Sequence, residues 1–363
     1  DYAHTLYIRA SWTEFNPQED VYGWKIDSNL RAYIEGAYQR NMRLAFRVVV
    51  DSRDKRTEFT PQFVKDAGAK GFMNKGKWSP YSDDPVFQKY YTKFVKALAK
   101  DFNDPSKVEF IDGFGLGKWG EYHTMIYSTG DDTPKKAVFD WVTDIYSQAF
   151  DKVPVVINYH RWIGAGKDWV DDEHFAADSE EMLEEAIKKG YSLRHDAFGM
   201  TTYYGSWERR FAKKYRNICP IIMEGGWIVK SHSYWQDPRG YRKDSHEDVR
   251  RGEFDDSKEA HVNMMDFRFG DTESWFKDAF DLVRRFLREG GYRLYPSEIS
   301  LPLEVSKKTT PTIKHCWNNM GWGYCPTNIP QWNQKYKVAF ALLDSETNEV
   351  RYTFVDTNTD LSK

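Results

Sequence analysis

The sequence predicts an α/β protein: a (β/α)8 TIM barrel followed by a small antiparallel β module. Three observations carry this. Apolar runs of strand length alternate with amphipathic stretches at helical spacing up to Glu289. The alternation stops at Gly290-Gly291, and period-two runs replace it. No Gly-x-Gly-x-x-Gly fingerprint follows an early strand, which disfavours the doubly wound open sheet.

The elements follow in order. Leu6–Ala10 reads as a strand, and Ser28–Arg40 as a helix with Leu30, Ile34, Ala37 and Tyr38 on one face. Arg43–Val50 is a β-branched run. Pro85–Asp101 is helical, Val108–Gly115 a strand, Lys135–Phe150 a helix and Val153–Asn158 a strand. Ser179–Lys189 is a helix for which Asp178 is the expected cap, with Glu181 three residues on and Gly190 at its end. Ala197–Tyr203 and Ile218–Glu224 read as strands separated by a short helix. Ser245–Ala260 is helical, Val262–Phe267 a strand, and Thr272–Glu289 one amphipathic helix. That makes seven strand–helix units where a barrel needs eight. The start at Asp1 suggests that the first unit is the absent one, so the visible strands count as the second to the eighth. Residues 1–291 form the expected barrel domain. Residues 292–363 form the β module, expected to be sandwich-like, with missing last strands as the alternative, and with strand runs at Tyr292–Val305, Ile313–Trp317, Tyr336–Asp344 and Glu349–Asp356.

Composition narrows the function. Net charge is −3 and no long run of Lys or Arg occurs, so a nucleic-acid partner is not expected. The apolar runs are too short to span a bilayer, so no membrane is expected. Aromatic residues make up 17%, with 14 Trp and 23 Tyr. Their flat apolar faces and polar edges suit sugar rings, while a large aromatic core is the plainer explanation. A chain that opens on Asp suggests a removed leader and a secreted, periplasmic or cell-surface location. Cys219 is expected in a buried strand. Cys316 and Cys325 are either a local disulfide or two free thiols. His123, His160, His232 and His261 form no metal-ligand spacing, so neither metal nor cofactor is expected.

Two acids stand at strand ends. Glu121 lies in Gly117-Lys118-Trp119-Gly120-Glu121-Tyr122-His123, beyond the strand Val108–Gly115. Glu224 ends the apolar strand Ile218–Glu224 and precedes Gly225-Gly226-Trp227. The C-terminal ends of barrel strands form the active-site mouth. Glycoside hydrolysis needs one protonated and one ionised carboxyl. Trp119 and Tyr122 are expected to desolvate Glu121, which suits the acid/base; Glu224 is then the nucleophile, kept charged by Tyr203, Tyr204, Arg9 or Arg47. Surface or salt-bridged loop acids would be the plain alternative. Other residues at the mouth are Trp12, Asp51, Asn158, Tyr159, His160 and Arg161, and His123 in the Glu121 segment. Trp207, Trp227, Trp235 and Trp275 are candidate stacking platforms, with a core role as the alternative for Trp275. The long segments Asp51–Asp84 and Ser231–Asp248 are candidate substrate walls. The cations of Asp51–Asp84 hint at an anionic glycan, against the simpler reading of a solvated loop.

These motifs carry a resemblance. Arg9-Ala10-Ser11-Trp12 through Pro17, then Tyr22-Gly23-Trp24 and Asp27, resembles a stretch of beta-galactosidase-like barrels in clan A of the glycoside hydrolases. Ile111-Asp112-Gly113 through Trp119-Gly120-Glu121-Tyr122-His123 is similar to a segment of bacterial barrel proteins with a C-terminal β module. The resemblance implies an acid/base after the fourth strand and a nucleophile ending the seventh, a carbohydrate partner and a galactose-configured substrate. One departure stands out: the clan places Asn before its acid/base, and here Gly120 precedes Glu121. The expected function is a retaining β-glycoside hydrolase acting on a polysaccharide or oligosaccharide. The alternative is a non-catalytic carbohydrate-binding barrel.

Overall fold

The computed structural model describes residues 2–168, 170, 172–200, 203–226, 246–268, 272–306, 308, 310–333 and 337–362. The chain divides into two compact units. One comprises residues 1–193 and 329–337, the other residues 194–328 and 338–363.

The first unit contains β1 (Thr5–Ser11), α1 (Trp12–Phe15), α2 (Asn29–Gln39), β2 (Arg43–Val49), α3 (Gln62–Asp66), β3 (Gly71–Asn74), β4 (Lys77–Pro80), α4 (Pro85–Phe102), β5 (Val108–Asp112), α5 (Lys135–Ala149), β6 (Val155–Asn158) and α6 (Glu173–Lys188). Strands β1, β2, β5 and β6 lie side by side in that order, and each pair is parallel. Helices fill the connections, as right-handed crossovers require. Residues 44–50 are buried, which is why the run is apolar apart from Arg47.

The helix ends are set by local chemistry. Asp84 accepts from the Phe87 amide at 2.8 Å and Pro85 opens α4, while Ser28 caps α2. Helix α6 starts earlier than expected. Asp172 is its cap, accepting from the His174 amide at 2.9 Å. Asp178 instead lies inside the helix, 2.5 Å from Lys135 Nζ, so a tertiary ion pair takes the side chain that the local pattern assigned to a cap. The segment expected as a long loop contains an antiparallel hairpin, β3–β4, turning on Lys75 (φ 49°) and Gly76 (φ 77°).

The second unit begins within β7 (Ser192–Phe198) and continues through α7 (Ser206–Tyr215), β8 (Ile221–Gly225), α8 (His246–Glu259) and α9 (Phe280–Glu289). Strand β8 is the sheet neighbour of β7. The strand expected at Val262–Phe267 reduces to one parallel bridge between Ile222 and Met264. Around it the Met223 amide donates to Met264 O and the Asn263 amide to Ile221 O. The helix expected over Thr272–Glu289 is divided: Ser274–Asp278 forms a π-turn, and Ala279 (φ −135°, ψ 34°) separates it from α9. Ser274 in that turn accepts from Arg250 Nε at 2.8 Å, and the Trp275 ring lies under the same guanidinium. Two antiparallel hairpins follow, β9 (Leu294–Ser300) with β10 (Lys314–Asn319), and β11 (Val338–Leu343) with β12 (Val350–Asp356).

The fold class is therefore the predicted one: a partial (β/α) barrel of parallel strands with small antiparallel sheets. Cys219 is buried just before β8. The described thiols of Cys219, Cys316 and Cys325 are free.

Candidate active site

In the first unit the parallel register determines the charges. Arg9 of β1 is the partner of Arg47 on β2, and Arg47 is the partner of Asp112 on β5. Two cations opposite each other repel, so this arrangement requires anions. Asp112 supplies one, accepting from Arg47 Nε at 2.6 Å and from Tyr7 Oη at 3.1 Å. Glu121 supplies the other. Its Oε1 accepts from Arg47 Nη1 and, at 3.5 Å, from Arg9 Nη1. Arg47 is fully buried and Glu121 is 2% exposed. The strand register thus brings Arg9 and Arg47 to the Glu121 carboxylate.

The backbone around Glu121 is unusual. Gly115, Gly117, Trp119, Gly120, Tyr122 and Thr124 all have positive φ. Three of these are not glycine, and a β-branched residue such as Thr124 is seldom found there. At Gly120 a side chain would be tight. Its φ is +76°, and a Cβ would meet Val49 Cγ2 at 3.3 Å and Arg47 Cδ at 3.4 Å.

The loop after β6 holds this turn. His160 Nε2 lies 2.8 Å from the Glu121 carbonyl oxygen, and the Trp162 amide donates to His160 Nδ1 at 3.2 Å. The Gly164 amide donates to Tyr122 O, and the Met125 amide to Ala165 O. His123 stacks on His160 with ring centroids 3.8 Å apart and planes 9° apart. Its Nδ1 stands 3.1 Å from Asp168 Oδ2. Burial alone would raise the Asp168 carboxyl, but His123 beside it, with His160 and the Thr124 hydroxyl, brings it down to about 2.

The second unit repeats the motif with other residues. Glu224 is the penultimate residue of β8 and is 4% exposed. Its Oε2 accepts from Arg194 Nε at 3.2 Å and Nη2 at 3.1 Å. The same Nη2 donates to Asp266 Oδ2 at 2.7 Å. Burial and the Glu224 charge push the Asp266 carboxyl up, against the pull of Arg194. Gly225 and Gly226 leave room for neighbours rather than for open space: a Cβ would meet Glu253 Oε1 at 2.6 Å and Met200 Cγ at 2.3 Å respectively. Arg194, Asp266 and Asp168 all escaped the sequence reading, and Asp112 entered it only as part of the Ile111-Asp112-Gly113 motif.

The remaining candidates divide. Trp12 is fully buried among Phe63, Phe87, Tyr91 and Phe94 and has no open face for a ligand. Trp275 is also core, as its alternative held, and Trp207 stacks on Phe211 within α7. Trp119 is half-buried, with Lys118 Nζ 4.2 Å from its ring centroid. Asn158 ends β6 and is buried, as is Tyr159; Arg161 covers the Trp162 ring. Tyr203 and Tyr204 pack on His195. Asp51 is buried and accepts from Arg53 Nε at 2.8 Å, and Asp54 pairs with Lys118. Trp227 and Trp235 lie outside the described residues, as does most of Ser231–Asp248.

No family model matches the chain, and no curated protein matches it. Among solved structures it is similar to endo-glycoceramidase II from Rhodococcus sp., at 12% identity over 63% of this chain and 68% of that one, with a TM-score of 0.36. It is also similar to the exo-beta-1,4-mannosidase Op5Man5 from Opitutaceae bacterium strain TAV5, at 12% identity over 72% of this chain and 44% of that one, with a TM-score of 0.42. A third is an endogalactoceramidase, at 12% identity over 61% and 62%, with a TM-score of 0.34.

Proposed function

We propose that this chain is a retaining β-glycoside hydrolase acting on a polysaccharide or oligosaccharide. One observation carries the reading: two buried glutamates, at or just beyond the C-terminal ends of parallel strands, are each held by an arginine that also binds an aspartate. Strand C-termini are where barrel enzymes keep their chemistry, and buried carboxylates held in one geometry are what glycosidic cleavage uses. Glu121 is assigned as acid/base and Glu224 as nucleophile. A galactose-configured substrate follows from the resemblance of the motifs alone. An anionic glycan follows only from the cations of Asp51–Asp84, of which Arg53 is matched by Asp51.

A second assignment has an observation of its own. Glu121 is paired with both Arg47 and Arg9. Cations favour an ionised carboxylate, so this pairing suits exchanged roles as well, with Glu121 as nucleophile. A mechanism-based fluoro-sugar, trapped and mapped by mass spectrometry, decides between them by the residue it labels.

The test of the function is a glycan panel assayed with unmutated protein, Glu121→Gln and Glu224→Gln. Turnover that both substitutions abolish, with the anomeric configuration retained in the product, is expected. Turnover unchanged in both variants overturns the reading. Binding without turnover in the unmutated protein favours a non-catalytic carbohydrate-binding barrel.

A further inference from the structure

The turn that carries Glu121 cannot hold itself. Trp119 (φ 62°), Tyr122 (φ 64°) and Thr124 (φ 46°) occupy left-handed backbone, which costs on the order of 1–3 kcal/mol for each such residue and persists only where the surroundings impose it. The loop after β6 meets the turn's main chain at Glu121, through the His160 ring, and at Tyr122 and Met125 through its own main chain. The most strained of the three residues, Thr124, is held by a side chain. Its amide donates to Asp168 Oδ1 at 3.2 Å and its hydroxyl to Asp168 Oδ2 at 2.7 Å. The same Oδ2 lies 3.1 Å from His123 Nδ1, and His123 stacks face to face on the His160 ring that meets the Glu121 carbonyl. One carboxylate thus fixes the two residues that close the turn and orients a ring packed on the one that anchors Glu121.

The geometry points to Asp168 as a positioning residue for Glu121: it fixes residues 123–124, and through His123 and His160 it holds the Glu121 carboxyl in a single place. The inference rests on the hydrolase reading for its consequence in turnover, but its structural half stands independently. Asp168 touches neither substrate nor reacting atoms in this role.

The test compares Asp168→Ala with Asp168→Asn, which keeps an acceptor for Thr124 and removes the charge. Kinetics and amide hydrogen exchange are measured on both. In Asp168→Ala, kcat is expected to fall roughly 10- to 100-fold, as expected when a catalytic group is displaced by about 1 Å, with KM within about twofold. Exchange across residues 121–125 is expected to rise by roughly tenfold or more while the β2 and α4 segments stay protected. Asp168→Asn is expected to recover part of both, and it carries the test if Asp168→Ala does not fold. Exchange at 121–125 unchanged in a folded variant overturns the inference, as does unchanged kcat. If the unmutated protein turns over no glycan, the hydrolase reading fails by itself and the exchange measurement alone decides the role of Asp168.

Discussion

Arg194 reaches Glu224 and Asp266 with one nitrogen, Nη2, at 3.1 Å and 2.7 Å. An arginine presents planar, fixed donors, and lysine is a point charge that cannot reproduce that fork. Arg194→Lys is therefore expected to keep the fold and lower kcat by roughly 10- to 100-fold through misplacement of Glu224. Arg194→Met is expected to be worse, since removing one partner of a buried pair costs about 3–5 kcal/mol. Steady-state kinetics and urea unfolding measure the two effects. Full activity in Arg194→Lys would remove Arg194 from the site.

Asp168 gives a pH prediction with a definite sign. Its folded carboxyl lies at about 2 against an ordinary 3.8, so the native state favours the ionised form. Its contribution is fully present above the ordinary value and is lost as pH falls from about 4 through about 2. The shift corresponds to an order of 2 kcal/mol at neutral pH. Unfolding of unmutated protein and Asp168→Asn is expected to differ by about that amount at pH 7 and to converge towards pH 2. Parallel stability curves across that window would contradict this.

The cysteines separate by burial. Burial pushes the Cys219 thiol up to about 12, and burial with Asp360 pushes Cys325 up to about 11, while Cys316 is exposed. Thiolate is the reacting form. At pH 8 a thiol reagent is expected to label Cys316 in the native protein, and all three after unfolding. Mass spectrometry of the native sample reads this directly. A disulfide between Cys316 and Cys325 would leave Cys316 unlabelled.

Helix α6 offers a test of which aspartate does what. Asp172→Ala removes its cap and is expected to cost about 1 kcal/mol. Asp178→Ala is expected to act instead through Lys135, whose Nζ is also 3.0 Å from Asp132 and so keeps one partner. A double-mutant cycle with Lys135→Met is expected to give coupling for Asp178 and none for Asp172.

Much of the architecture was legible. Helices α2, α4 and α5 and strands β1, β2 and β6 fall within a few residues of their expected bounds, because apolar periodicity and caps agree there. Strand β7 was misplaced because Arg194, His195 and Asp196 interrupt its apolar run; these polar residues are where the second carboxylate cluster is built. The β3–β4 hairpin was invisible because its two-residue turn puts Lys75, not Asn or Asp, at a left-handed position. The glutamates themselves stood out through their glycine and tryptophan neighbours. Their arginines did not, since Arg47 meets Glu121 across a separation of 74 residues and Arg194 meets Glu224 across 30. Only strand register makes such pairs.

The left-handed positions of the Glu121 turn also govern how this protein could be improved. Asparagine or glycine at 119, 122 or 124 would relieve backbone strain, and a selection for heat tolerance would be drawn to those sites. The same changes would widen the range of places in which Glu121 can sit. A library screened for thermal survival and one screened for turnover should therefore diverge first at Trp119, Tyr122 and Thr124.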